Sequence, residues 1–404
     1  MSSFQSAFSP LQLGSLRLKN RFIKSATSEG YWKDSAPTDA MIDWHRRIAQ
    51  GGVGMTTLAY CAVNQDGRTF PRQIYLRPSI GSELRKFTSA MHREGAAASI
   101  QLAHSGYFSK VSPSKGRGPK GPSFIVNEYG MFSGLPFGYA LKPIEIDQIV
   151  DDYGLAAQMA VEVGFDAIEL HAGHGYLLSQ FLCPKVNRRK DQYGGTLENR
   201  ARLALEVMAS IRSSVPPDFP VLVKINLADG FRLGLQLHEA ILFAQMLEDA
   251  GASALILSGG YTSKTPFYLL RGGRPLKEMI RAEGNRAQRI GMRLFGPGIV
   301  KQYPFEEMFF FDMAKEVRKQ VKLPLALIGG IVSRDNINRA MDAGFDLLAL
   351  GRALIHDPEF VNHLKDGSIT RSGCTACNGC IPQMDLGGVY CVLKPEGRIV
   401  NHGA

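Results

Sequence analysis

A chain of 404 residues, 45% hydrophobic and 21% charged, can bury a sizeable core, as one large barrel or two smaller domains. Its formal net charge of +10 is scattered through helical patterns without a dense basic tract, which argues against nucleic acid and fits a solvated surface that also meets phosphate-bearing ligands. Met1-Ser2-Ser3-Phe4 is not a signal peptide and no apolar run reaches roughly 18 residues, so a cytoplasmic protein without membrane association is expected.

Short apolar runs alternate with helical patterns from end to end. Strands are expected over 21–25, 53–58, 97–101, 167–171, 221–225, 254–257, 325–328 and 347–350. Helices are expected over 39–50, 83–94, 146–163, 198–213, 237–250, 306–321 and 335–343. In 146–163 the apolar residues Ile149, Tyr153, Ala156 and Ala160 recur with a helical period. Near-continuous apolar strands, each followed by a helix, argue for a parallel (β/α)8 TIM barrel. An open doubly wound sheet is less favoured, because no G-x-G-x-x-G follows the first strand. The barrel is expected over residues 1–370, followed by a short Cys-rich extension over 371–404.

Three connecting stretches stand out. Residues 106–143 are rich in Gly, Pro, Ser and Lys and are expected to form a long insertion over the pocket, with a hairpin around Asn127–Gly130. Phe132, Phe137 and Tyr139 in it are expected to form the insertion's own small core more than to reach substrate. Residues 261–286 are expected to build another wall of the pocket, and 297–310, with Tyr303, Phe305, Phe309 and Phe310, to pack on the barrel exterior.

The segment after the fourth strand carries the chemical argument. His171 ends that strand, and the following turn presents His174 and Tyr176. Two imidazoles can donate hydrogen bonds to one carbonyl oxygen, and a tyrosine holds a proton at neutral pH that it can give as a general acid. That set suits reduction of an activated double bond; from these residues alone a packing role is equally open.

The full run H-A-G-H-G-Y-L-L-S-Q-F-L-C-P-K-V-N-R-R-K-D-Q-Y-G-G-T-L-E-N-R, from His171 to Arg200, resembles the signature of the Old Yellow Enzyme family almost position by position. Those are flavin-dependent ene-reductases and NAD(P)H:flavin oxidoreductases on a TIM barrel. The family usually has Ser where this chain has Cys183. The resemblance implies FMN as cofactor, NAD(P)H as reductant and an α,β-unsaturated carbonyl compound as small-molecule substrate. His171 and His174 would hold the substrate oxygen, Tyr176 would protonate the α-carbon, and hydride would reach the β-carbon. It places Ser25, Ala26, Thr27, Ser28 and Tyr60 against the flavin ring, Gln101 on its pyrimidine edge and Lys224 over N1–C2=O. Gly329, Gly330, Gly351 and Arg352 would cradle the phosphate, as loops after the last two strands of barrels commonly do. The family's Pro-Met pair is Ala26-Thr27 here, its small residue is Tyr60, and its Arg is Tyr107. His104 is expected to be structural.

Six cysteines are unevenly placed. Cys374, Cys377, Cys380 and Cys391 form C-x2-C-x2-C-x10-C near the C-terminus. Four thiolates so spaced suit a metal. The segment is similar to the iron–sulfur segment of 2,4-dienoyl-CoA reductase, whose second gap is one residue longer. A 4Fe–4S cluster, zinc and simple packing are equally open. So are other substrates (an acyl-CoA enone, a nitro compound, an amine), a non-catalytic metal-binding barrel, NADH against NADPH, and a homo-oligomer of any order.

Overall fold

Eight parallel strands hydrogen-bond into a closed ring: β1 (Phe22–Lys24), β2 (Met55–Ala62), β3 (Ala97–Ala103), β4 (Ala167–Ala172), β5 (Val221–Asn226), β6 (Ala254–Ser258), β7 (Leu325–Ile328) and β8 (Leu347–Leu350). The computed structural model describes residues 2–299 and 301–399; residues 400–404 of the expected extension lie outside them. The ring closes where Leu348 pairs with Phe22, and Ile23 with Met55. A strand in a closed barrel has no free edge, and both of its faces are covered, one by the interior and one by helices. Hence β4 to β8 are buried at every position, and the sequence shows runs, not alternation. All eight strands fall where those runs placed them.

Seven helices of the outer layer follow the expected order: α1 (Asp39–Gln50), α2 (Gly81–Arg93), α3 (Pro143–Glu162), α4 (Leu197–Ser214), α5 (Leu237–Asp249), α6 (Phe311–Arg318) and α7 (Arg334–Asp342). Thr38 caps α1 by accepting from the Met41 N–H, and Thr196 caps α4 by accepting from Asn199. α3 buries Ile149, Tyr153, Ala156 and Ala160, the stripe seen in the sequence.

Helix α6 departs from expectation by starting five residues late. Met308 adopts φ +53°, a left-handed conformation that no helix interior accepts, and its N–H donates to the Gly330 carbonyl at 3.1 Å. The segment before α6 is thereby drawn over the end of β7. Phe305 and Phe309 face the cavity at the barrel mouth, and Phe310 is fully buried beside Gly259, so this segment does not pack on the barrel exterior. Two helices that periodicity did not single out, Leu276–Ala282 and Arg286–Ile299, precede it.

The 106–143 insertion forms a three-stranded sheet of Lys120–Gly121, Ile125–Val126 and Phe137–Ala140. The Asn127 amide clamps it by donating to the carbonyls of Ser109 and Leu135 at 2.8 and 3.0 Å. Phe124 stacks on Phe137 and meets Tyr139 edge-on, a small aromatic cluster apart from the cavity.

Beyond the helix Phe360–Asp366, the described part of the tail has only two short 3-10 turns, Pro382–Leu386 and Pro395–Gly397. It nevertheless docks on the barrel mouth. The Tyr31 hydroxyl donates to the Val389 carbonyl at 2.8 Å, and the Val389 N–H donates to the Glu29 carbonyl at 2.7 Å.

Candidate active site

A cavity of about 370 Å3 opens at the C-terminal ends of the strands, within the size range of small-molecule and cofactor pockets. Its walls bring together every position that the sequence singled out for a catalytic or flavin-binding role: Ser25 to Ser28, Tyr60, Gln101, His171, His174, Tyr176, Lys224, Gly329, Gly330, Gly351 and Arg352. Strand register accounts for part of this. Gln101 pairs with Glu169, and His171 with Lys224, across β3, β4 and β5.

The turn after β4 is tightly specified. His174 takes φ +59°, uncommon outside glycine. It is held there because its N–H donates to Asn226 Oδ1 at 3.0 Å and its carbonyl accepts from the N–H and hydroxyl of Thr262 at 2.9 and 2.8 Å. A Cβ on Gly173 would come within 2.8 Å of Asn226 Oδ1, and one on Gly175, at φ +78°, within 2.5 Å of the Tyr261 ring. Both glycines of H-A-G-H-G-Y are thus required by close approach.

His171 receives the Gly173 N–H on Nδ1 at 3.3 Å. That bond puts the ring proton on Nε2, the nitrogen left to donate elsewhere. His174 Nε2 meets the Ser258 hydroxyl at 2.7 Å. Burial holds both imidazoles neutral, His174 near a pKa of about 3 and His171 well below its usual value, with the nearby Lys224 charge adding to the effect. The three rings crowd together, with His171 4.9 Å from both His174 and Tyr176, centroid to centroid. Tyr176 is 8% exposed, and burial raises its pKa, so it stays protonated at neutral pH. Tyr60 lies beside it at 5.0 Å and donates its hydroxyl to Thr69 at 2.8 Å.

Lys224 is 1% exposed and pairs with the equally buried Glu169 at 2.6 Å; the same Glu169 oxygen accepts from the Gln101 amide at 2.5 Å. Its ammonium also reaches the Ser25 hydroxyl at 3.4 Å. Glu169 was missed in the sequence, although a carboxylate inside the apolar run Ala167-Ile168-Glu169-Leu170 is itself a signal, since a buried charge needs a partner. Asn226, Ser258 and Thr262 were missed too, because their roles arise from contacts with residues 52 to 88 positions away. His104 lies outside the cavity wall. Burial keeps it neutral, near a pKa of about 4, while Nδ1 accepts the Gly106 N–H.

These walls fit a flavin. A buried cation and an amide stand on one edge, glycine turns on another, and a Cβ on Gly351 would meet nothing nearer than Thr27 at 4.0 Å. Arg352 lines the same cavity and ties it to the tail, its guanidinium donating to the Arg271 carbonyl at 2.8 Å and to Asn378 at 2.6 Å.

The tail supplies the remaining wall through Cys374, Ala376, Cys380, Ile381, Met384 and Val389. All four tail cysteines border a second, much smaller cavity behind it, and His356 Nδ1 lies 3.4 Å from Cys391 Sγ. Among the described residues, however, no three His, Cys, Asp or Glu side chains are arranged to hold a metal ion. No chemistry is assigned to a metal here.

The family model for "NADH:flavin oxidoreductase / NADH oxidase" matches residues 6–262. A 4,4'-dithiodibutanoate disulfide reductase of Rhodococcus erythropolis is 38% identical over 96% of this chain and 95% of its own length. An NADH oxidase of Thermoanaerobacter brockii is 29% identical over 94% of this chain, which spans only 54% of that relative. The solved complex of 2-naphthoyl-CoA reductase with 2-naphthoyl-CoA superposes with a TM-score of 0.80 at 23% identity, covering 97% of this chain and 57% of the other. At that identity the likeness is one of fold. Among the described residues no helix is long and apolar enough to cross a membrane.

Proposed function

Because the chain belongs to the NADH:flavin oxidoreductase / NADH oxidase family, and so is a flavin-dependent NAD(P)H oxidoreductase of Old Yellow Enzyme type, we propose that it holds FMN in the barrel-mouth cavity and reduces the activated C=C bond of an α,β-unsaturated carbonyl compound. When bound, FMN would accept hydride from NAD(P)H and pass it on. The observation that carries the reading is the crowding of His171 and Tyr176, both buried, with the half-buried His174, all three uncharged, on one wall of that cavity.

The Nε2–H of His171 and the imidazole of His174 would hold the substrate oxygen by neutral donation. A neutral donor polarises a carbonyl without giving its proton away. Tyr176 would supply the proton to the α-carbon. Lys224, held by Glu169, and Gln101 would face the flavin pyrimidine edge. Gly329, Gly330, Gly351 and Arg352 would take its phosphate, glycine letting backbone N–H groups approach.

The test is anaerobic. NADPH should bleach the flavin of wild-type and Tyr176→Phe protein alike, while cyclohexenone should restore the colour far more slowly in the variant. Equal rates would sink the proton-donor role.

A second reading has its own support. The 38% identical relative, matched over nearly its whole length, is named for reducing a disulfide. An S–S bond taking up a hydride and a proton yields two thiols, and Tyr176 could protonate the leaving thiolate. Steady-state rates with cyclohexenone and with 4,4'-dithiodibutanoate, side by side, separate the two.

A further inference from the structure

Beside the cavity lies an open groove of about 710 Å3, whose lining includes Phe231, Arg232, Lys264, Arg274, Lys301 and Tyr303. Four of these are cations, and none is acidic. We propose that this groove binds the phosphate-bearing adenosine nucleotide portion of a ligand whose other end reacts in the cavity. The proposal rests on the oxidoreductase reading above and adds to it where the ligand's remote end sits.

Three observations converge. First, groove and cavity adjoin across one layer of side chains: Thr265 borders both, and the Phe231 ring of the groove meets edge-on, at 5.5 Å, the Tyr261 ring that lines the cavity. Second, the cations come from separate segments and converge here. Arg232 follows β5, Lys264 and Arg274 follow β6, and Lys301 follows the helix Arg286–Ile299. Arg274 is steadied by donating to the Pro297 carbonyl at 3.0 Å, and Lys264 also reaches Glu128 of the insertion at 3.5 Å. Third, the Tyr303 hydroxyl is buried with no hydrogen-bond partner among the described residues, and the Lys301 ammonium lies 5.1 Å over that ring. A buried hydroxyl without a partner is costly unless a ligand supplies one.

A small neutral enone or nitro compound leaves this groove without a role. A diphosphate-linked adenosine matches it: the phosphates carry charge for the cations, and Phe231 and Tyr303 offer aromatic surface to the base. Two molecules share that chemistry, NAD(P)H as reductant and an acyl-CoA as oxidant.

The experiment uses the full-length, FMN-loaded protein and the double variant Arg232→Glu/Lys301→Glu. Both sites are exposed, so folding should be kept; FMN content and melting temperature check this. Wild type and the double variant are each assayed with NADPH against reduced nicotinamide mononucleotide, following flavin bleaching. Each is also assayed with crotonyl-CoA against the N-acetylcysteamine thioester of crotonate. Charge reversal should raise KM for the adenosine-bearing member of one pair about tenfold relative to its truncated partner, and added salt should mimic the change in wild type. A selective effect in the NADPH pair assigns the groove to the reductant, and one in the thioester pair assigns it to an acyl-CoA. Equal response of full and truncated ligands in both pairs would overturn the proposal. If enone reduction fails but the NADPH contrast persists, the groove stands and the substrate reading falls.

Discussion

Two walls of one cavity are ordered by different means. The wall made by the turn after β4 is fixed by its neighbours: Asn226, Ser258 and Thr262 on adjacent barrel loops hold His174 in a left-handed conformation, and Gly173 sets the tautomer of His171. A second wall is the tail, almost devoid of helix and strand among the described residues, held by Tyr31, Glu29, Arg352 and Asn378. A barrel strand gives its loop a rigid base, so a long signature in sequence maps directly onto geometry. The tail has no such base. Its cysteine spacing carries a signature, but its placement depends on single hydrogen bonds to distant parts of the chain.

Removing the acid from the ordered wall should have the largest effect. Tyr176→Phe is expected to slow enone reduction by about 10²–10⁴-fold, the usual worth of a general acid, while the anaerobic bleaching by NADPH survives. A second change deepens the same wall. Glu169→Gln leaves Lys224 buried and unpaired except for Ser25, so full positive charge faces the flavin site. The midpoint potential of bound FMN should become more positive by about 30 mV or more, which is tenfold in a two-electron equilibrium. Spectroelectrochemical titration reads this directly, and an unchanged potential would show that Glu169 does not moderate Lys224.

Acid should lower the stability of the whole barrel. His45 and His104 are held near a pKa of about 4 and His174 near about 3, in each case chiefly by burial. In the unfolded chain each titrates near about 6.5. Between those limits the unfolded state binds more protons, so stability is full above about pH 6.5. It falls as pH drops toward 4, by up to about 1.4 kcal/mol per pH unit for each histidine. Urea midpoints measured from pH 7.5 to 4.5 should decline steadily, and a flat profile would contradict the burial of these rings.

The tail should respond more mildly. Tyr31→Phe removes the donor to the Val389 carbonyl and should cost about 1 kcal/mol. Limited proteolysis should then cut within residues 371–399 sooner than in wild type. Serine at all four tail cysteines should leave flavin content unchanged, and metal analysis of wild type decides what they hold. Four equivalents of iron or one of zinc per chain would show that the thiols rearrange to bind a cluster or a zinc ion.

The sequence alone determined the eight strands, the order of the helices and the residues that meet at the barrel mouth. The physical reason is that doubly covered parallel strands must be apolar runs, and that loops at their C-terminal ends converge whatever their length. Tertiary structure alone decided the rest. It showed that Glu169 neutralises Lys224, that His174 is held left-handed by residues far along the chain, and that Phe305 and Phe309 turn into the cavity because Met308 is drawn to Gly330. It also brought Arg232, Lys264, Arg274 and Lys301 to one groove. Those features depend on which side chains meet across large sequence separations, and no local period or spacing records that.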